Sequence, residues 1–256
     1  MHIGFIEDTH LHGGTQIWVS EAVQAFIRLD QKVSLLAPES SWVVDQCRPT
    51  GATITTYDWD EVVHEGQHDQ EIWARALSEC DVAVCTVHPP RNGFHCSVFA
   101  ARCIQQSGLS THLIPKTGTI VPEYQRAFYL PDDRIRSSVI TITDFTRKYL
   151  VEAYKIPENK VALIYQGTDT DRFQPTERTW HEAQKRYPLP EMASPVLGSI
   201  GSFEHRKGHP VLFEAMETLV NGDLPDAHLI LVGDGPDEKM LKEKVKILGL
   251  SDHVSF

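Results

Sequence analysis

The most chemically specific stretch of the sequence is Gly201-Ser202-Phe203-Glu204-His205-Arg206-Lys207-Gly208. It leaves an apolar run, passes a basic pair and enters a helical pattern at a glycine. A lysine beside a helix N-terminus combines a point charge with free N–H donors, and that combination is a phosphate site. The bland alternative for Lys207 is a solvated loop charge. Gly13-Gly14 also stands between an apolar run and a helical pattern. Glycines there let the backbone approach a ligand at the positive end of a helix, or they only close a tight turn. The spacing is not the full GxGxxG of a dinucleotide site. Gly233-Asp234-Gly235-Pro236 follows a third apolar run, with Pro236 suited to a first helical position. It either borders a bound nucleotide or makes a turn.

Two other patterns compete. Asp8-Thr9-His10-Leu11-His12 matches the D-x-H-x-H start of metal-dependent barrel hydrolases, and histidines two apart on an extended segment face the same way. Further ligands such as His88 and His112 fall into no recognisable pattern, and a barrel needs more βα units than this chain holds. Asp58-Trp59-Asp60 is a DxD triplet, which binds a metal diphosphate in one class of sugar transferases; its alternative is a polar turn in an acidic chain. GxSxG, P-loop and HExxH motifs are absent, and the cysteines have no histidine partner pattern for a thiol nucleophile.

Step back to the whole chain, and most function classes fall away. Lys plus Arg is 24 and Asp plus Glu is 35, a net charge of −11. Without a basic stripe, that balance argues against duplex nucleic acid or an anionic membrane as partner, so any phosphate must be gripped locally. No apolar run reaches the ~18 residues of a membrane span. The opening MHIGFIED lacks the marks of a secretory signal. Five cysteines without a CxxC pair fit reduced thiols in a cytoplasmic protein, and 13 histidines make accidental clusters common.

The elements that must position these residues alternate. Apolar runs at 2–6, 33–37, 53–57, 82–87, 111–114, 139–142 and 161–165 read as strands. Between them lie helical patterns, including 16–30 with Trp18, Ala22, Phe26 and Leu29 on one face, and 144–154 with Asp144 as N-cap. The stretch 174–195 holds Pro175, Pro188, Pro190 and Pro195 around one short polar helix with Trp180, Ala183 and Tyr187, and reads as a domain connection. Strands at 196–200 and 228–232, helices at 208–220 and 236–248, and a run from His253 follow. This predicts an α/β chain: a complete doubly wound parallel sheet over 1–174, a connection over 175–195, and over 196–256 a second Rossmann-like sheet that stops short. Half such a sheet leaves an open edge, which implies a fragment or a partner that completes it.

In this order, the pieces resemble a retaining glycosyltransferase of the GT-B fold, family 4, also described as glycosyl transferases group 1. The resemblance rests on VITITDFTRKYLVEAYKIPENKVALIYQGTDTDRFQP (139–175), IGSFEHRKGHPVLFEAM (200–216) and HLILVGDGPDEKMLKEKVKILGLSDHVSF (228–256). It implies two Rossmann-like domains, the first for the acceptor and the second for a nucleotide-diphosphate sugar. Gly13 and Gly14 would approach the donor phosphates or the transferred sugar. Lys207, with Arg206, would neutralise the diphosphate, and Ser202, Gly233, Asp234, Gly235 and Pro236 would border the donor. His88, Lys116, Thr117 and Gln166 would line the acceptor side. No metal and no cofactor are implied, because Lys207 and helix N-termini take the metal's place. The implied partners are a nucleotide sugar and a glycan, lipid or small-molecule acceptor.

The chain departs from the family at several points. Ser202 stands where an arginine is usual, Gln166 where an asparagine is usual, and Lys116 where a histidine is usual. The paired glutamates that hold the donor sugar would fall beyond Phe256, so this chain alone is expected to transfer sugar poorly. The rival readings are a non-catalytic sugar-nucleotide or glycan binder of the same fold, and a metal-dependent hydrolase built on Asp8, His10 and His12.

Overall fold

The computed structural model describes residues 1–10, 12–63, 67–87, 96–118, 120, 126–175, 182, 190 and 192–256. The chain divides into two compact units, Met1–Asp169 and Thr170–Phe256. His88 and the helix expected around Trp180, Ala183 and Tyr187 lie outside the described residues.

Unit 1 is built on seven strands: β1 (His2–Ile6), β2 (Lys32–Pro38), β3 (Thr53–Tyr57), β4 (Val82–Val87), β5 (His112–Thr117), β6 (Val139–Thr141) and β7 (Val161–Leu163). They pair in parallel in the order β3-β2-β1-β4-β5-β6-β7. Every residue of β1 is buried, as expected of a central parallel strand covered on both faces. One face packs under α1 (Gly14–Arg28) and α2 (Trp42–Cys47): Ile3, Phe5, Val33, Leu35 and Val84 meet Val19, Val23 and Val44. The other face packs under α3 (Trp59–Val63), α4 (Gln67–Ser78) and α5 (Cys96–Gln106): Ile6, Leu36, Ala83, Cys85 and Leu113 meet Val62, Trp73, Phe99 and Ile104. Trp73 is fully buried between Tyr57 and Phe99. An indole of this kind removes ~200 Å² from water, about 5 kcal/mol before entropy, which is enough to dock the otherwise polar α4.

Two local details differ from the sequence reading. Strand β5 runs through Pro115 to Thr117 instead of stopping at Ile114, so Lys116 is a strand residue. Leu113 donates its amide toward the β6 side, to Arg136, and alternation turns the Pro115 nitrogen the same way. The chain before β6 already bridges β5 at Leu113 and Ser137, so the missing N–H interrupts that ladder until Lys116, while pairing with β4 carries β5 through to Thr117. The cap of α6 (Asp144–Glu152) is Thr143, whose Oγ1 accepts from the Thr146 amide at 3.1 Å. Asp144 sits one residue inside, paired with Lys148 at 2.6 Å.

Unit 2 carries β8 (Val196–Ile200), β9 (His228–Val232) and β10 (Val254–Ser255), parallel in the order β10-β9-β8. Helices α7 (His209–Val220) and α8 (Glu238–Ile247) supply Phe213, Met216, Leu241 and Val245, which pack on Leu229, Leu231 and Phe203. Ile200 and Val232, neighbours in register on the other face, stand 85% and 52% exposed. All five cysteines are free and buried, and burial pushes the Cys47 and Cys80 thiols up to about 11 and Cys103 to about 12. They act as small apolar side chains. No helix among the described residues is long and apolar enough to cross a membrane.

Candidate functional site

In unit 2 the loops after β8 and β9 are laced together. Phe203 donates its amide to the Asp234 carbonyl at 2.6 Å, Asp237 donates to the Phe203 carbonyl at 3.0 Å, and Gly201 donates to Val232 at 2.9 Å. The Phe203 ring, 1% exposed, stands edge-on to His209 and Phe256. A Cβ on Gly233 would fall on the Gly201 carbonyl oxygen, and one on Gly235 would lie 2.6 Å from the Phe203 oxygen and 2.8 Å from its nitrogen. These two glycines are therefore required by the approach of the two loops, quite apart from any ligand.

The loop seats Lys207. A single 3₁₀ turn, His205–Lys207, is followed by Gly208 at φ 71°, the left-handed conformation that admits glycine without strain. The turn lays the Lys207 side chain over Gly201: its Cδ, Cε and Nζ lie 3.8–3.9 Å from where a Cβ on Gly201 would be. Lys207 is exposed and has no carboxylate within ion-pair distance among the described residues. The first turn of α7 adds little, since Pro210 has no N–H, and Val211 and Leu212 both donate to the Gly208 carbonyl. The His209 amide is its open donor among the described residues, so cationic charge here comes from the lysine. Arg206 is committed elsewhere, with Nε 2.6 Å from Glu204. Ser202 is half-buried and its carbonyl accepts from the Glu204 amide. Pro236 is not a first helical residue: α8 starts at Glu238 with Asp237 as its cap. Two carboxylates at that helix start make it unfavourable for an anion. A groove runs from Gly235 and Pro236 along Lys239, Lys242 and Lys246, and Lys207 is not among its walls.

In unit 1 the order of strands reverses between β1 and β4, and open α/β sheets bind ligands at the carboxyl ends of strands at such a point. The segment leaving β1 is pinned there. Glu7, 0% exposed, accepts from the Gln16 amide at 2.9 Å and from the Asp8 N–H at 3.1 Å. Tyr57 donates to the Glu7 carbonyl, and the Trp59 indole donates to the Asp8 carbonyl. Gly13 caps α1 in an extended conformation with no side-chain hydrogen bond. A Cβ on Gly14 would meet nothing within 4 Å, so here the backbone lies open.

Lys116 reaches back over α1, with its Nζ 3.9 Å from the centre of the Trp18 ring. Burial pushes its ammonium down to about 8 from an ordinary 10.5. Thr117 alternates to the opposite face and is 1% exposed, so these two candidates do not act together. Gln166 is exposed beyond β7, at the sheet edge two strands from β5, or about 10 Å at ~4.8 Å per strand. The sequence reading missed Thr86. Its hydroxyl is buried, with the residue 4% exposed, and has no hydrogen-bond partner among the described residues. A lone threonine in an apolar run gave no signal.

The rival patterns receive structural roles. The His12 ring stacks on Trp42 at 4.1 Å. Among the described residues no three His, Cys, Asp or Glu side chains are grouped to hold a metal. Asp58 Oδ1 accepts from the Asp60 amide at 2.9 Å, the polar turn that starts α3.

Comparison with known proteins locates this geometry. Residues 181–256 match the family described as glycosyl transferases group 1. A GDP-mannose-dependent alpha-(1-6)-phosphatidylinositol monomannoside mannosyltransferase of Mycobacterium tuberculosis is 31% identical over 121 residues, 47% of this chain and 30% of that protein. A 2-deoxystreptamine glucosyltransferase of Streptomyces kanamyceticus is 26% identical over 123 residues, 48% of this chain and 32% of that protein. The chain thus matches about a third of the length of these relatives. Among solved structures, Anabaena Alr3699/HepE in complex with UDP superposes with a TM-score of 0.79 at 15% identity, covering 100% of this chain and 68% of that one. Residues 181–256 are thus similar to the glycosyl transferases of group 1, and the chain as a whole shares the fold of Anabaena Alr3699/HepE.

Proposed function

We propose that this chain acts in the transfer of a sugar, with retention of configuration, from a nucleotide-diphosphate sugar to an acceptor, unit 2 holding the donor diphosphate and unit 1 the acceptor. The observation that carries the reading is the seat of Lys207: an exposed ammonium held against Gly201, without a carboxylate partner among the described residues, on a loop fixed by Gly233 and Gly235. The Mycobacterium and Streptomyces relatives are named as a mannosyltransferase and a glucosyltransferase, and Anabaena Alr3699/HepE was crystallised with UDP. Loss of a nucleoside diphosphate through an oxocarbenium-like state builds negative charge on the leaving oxygens. A cation already in place stabilises that charge without reorganising. Lys207 fills the role that a divalent ion has in other transferases, and no cofactor is needed.

The test is calorimetric titration of UDP, GDP and ADP. A hydrogen bond to a charged group contributes about 1.5–3 kcal/mol, so Lys207→Ala should weaken the preferred nucleotide roughly 10- to 150-fold. EDTA should change nothing. Unaltered affinity in Lys207→Ala, or binding abolished by EDTA, would overturn the proposal.

A further inference from the structure

Three residues form a row across the carboxyl edge of the central strands of unit 1. Thr86 of β4 pairs in register with Lys116 of β5. Glu7 continues the β1 register, in which Ile6 pairs with Cys85, and so comes opposite Thr86 from the other side. All three lie on the face covered by α1, since Phe5, Val84 and Ile114, two residues before each of them, pack in that cluster. Glu7 is occupied by the Gln16 amide and the Asp8 N–H. The other two positions are not. Among the described residues the buried Thr86 hydroxyl has no partner, and Lys116 has the Trp18 ring beneath it and no carboxylate at ion-pair distance.

A buried hydroxyl left unpaired is costly, and so is a cation withdrawn from water without a countercharge. From backbone positions about 5 Å apart on neighbouring strands, they offer one O–H donor and one ammonium on the same face of the sheet. Gly14, one helical turn before Trp18, has open space where a Cβ would be. Neutral sugar hydroxyls would leave the ammonium uncompensated; an oxyanion would satisfy both groups. The Glu7 carboxylate on the β1 side confines an anion to the β4–β5 side of the row.

We propose that Lys116 and Thr86 form a subsite for an oxyanion, phosphate or carboxylate, carried by the acceptor, with Lys116 as its cation and Thr86 as its hydrogen-bond donor. The inference rests on the reading of unit 1 as the acceptor side and names the acceptor class: anionic, in a chain whose own net charge is −11.

Reductive ¹³C-dimethylation of the lysines in the intact chain gives each amine an NMR signal, and that of Lys116 is the one lost in Lys116→Arg. The signal is titrated against pH in chloride, in inorganic phosphate and in acetate at equal ionic strength. Bound oxyanion favours the protonated amine, so phosphate or acetate should raise its proton affinity about tenfold over chloride, one pKa unit. Whichever anion acts identifies the group. The shift should shrink in Thr86→Val and persist in Lys207→Ala. Identical titrations in all three salts would overturn the subsite. So would a shift abolished by Lys207→Ala, which would mean that phosphate acts through unit 2. Nucleoside diphosphate binding is read separately in the Lys207 variant, so failure of the donor reading leaves the Lys116 titration standing and the two failures remain distinguishable.

Discussion

Replacing Gly235 by alanine tests whether the unit 2 loop is built by packing. The residue sits at φ 153°, where an L side chain is strained, and the new Cβ would lie 2.6, 2.8 and 2.9 Å from three backbone atoms of Phe203. None of these is the end of a flexible side chain, so relief requires the Phe203–Asp234 lacing to open. Backbone strain of this kind costs about 1–3 kcal/mol, and forced overpacking about 1–3 kcal/mol. The sum, about 2–6 kcal/mol, is a large part of the 5–15 kcal/mol stability of an ordinary domain. Hydrogen exchange read on 196–203 and 228–237 should show the Gly201 and Phe203 amides losing protection. Nucleotide affinity should fall with them, because Lys207 rests on Gly201. If Gly235→Ala keeps native protection and a stability within about 0.5 kcal/mol of the parent, the steric argument is wrong.

Gly14→Ala should behave in the opposite way. Its Cβ enters empty space at a helix start, so stability should hold or rise by about 0.5–1 kcal/mol in urea unfolding, while a ligand that needs the open backbone loses affinity. Lys116 gives a pH signature. Its folded value, about 8, lies below the ordinary 10.5, so the unfolded chain binds the extra proton in between. Stability should therefore be lowest below pH 8 and climb as pH rises toward 10.5, and urea unfolding of Lys116→Met should lack that climb. Glu204→Ala frees Arg206 at the edge of the Lys207 loop. An exposed ion pair is worth about 0–1 kcal/mol, so stability should barely move, and nucleoside diphosphate affinity in calorimetry should rise up to about fivefold. A fall would mean that Glu204 itself serves the site.

How much of this the sequence disclosed depended on how local the cause was. The succession of strands and helices, the parallel sheets and the Lys207 loop follow from apolar runs alternating with helical periods, and those patterns are local. The Pro115 reading failed because a proline removes one ladder bond on one edge only, and pairing with β4, some thirty residues earlier, carries the strand past it. The α6 cap shifted by one residue because Thr143 and Asp144 are both good caps, and Lys148 at i+4 claimed Asp144 as an ion-pair partner. Gly13-Gly14 and Gly233-Asp234-Gly235 look alike as text but do opposite things: Gly14 leaves space open, and Gly233 and Gly235 give theirs to backbone. Thr86 was invisible because its neighbours are apolar; only the pairing with β5 gives its hydroxyl a meaning.

The net charge of −11 opposes the two proposed anion sites, and the magnitudes resolve the conflict. A surface charge acts over a Debye length of about 8 Å at physiological salt, so most of the 35 acidic residues are screened from any one loop. A contact at 4 Å is worth about 4 kcal/mol at an effective dielectric of 20, far more than the residual field. What decides is therefore whether a given cation already has a partner. Lys148, Lys242 and Lys244 lie 2.5–2.7 Å from Asp144, Glu238 and Glu214, and gain little by exchanging one carboxylate for another anion. Lys207 and Lys116 have no such partner among the described residues. One lies over a glycine backbone and the other over an indole, supports that hold a cation in place without neutralising it. On the proposed reading, phosphate is held at these two points because the lysines there are not already paired with a carboxylate among the described residues.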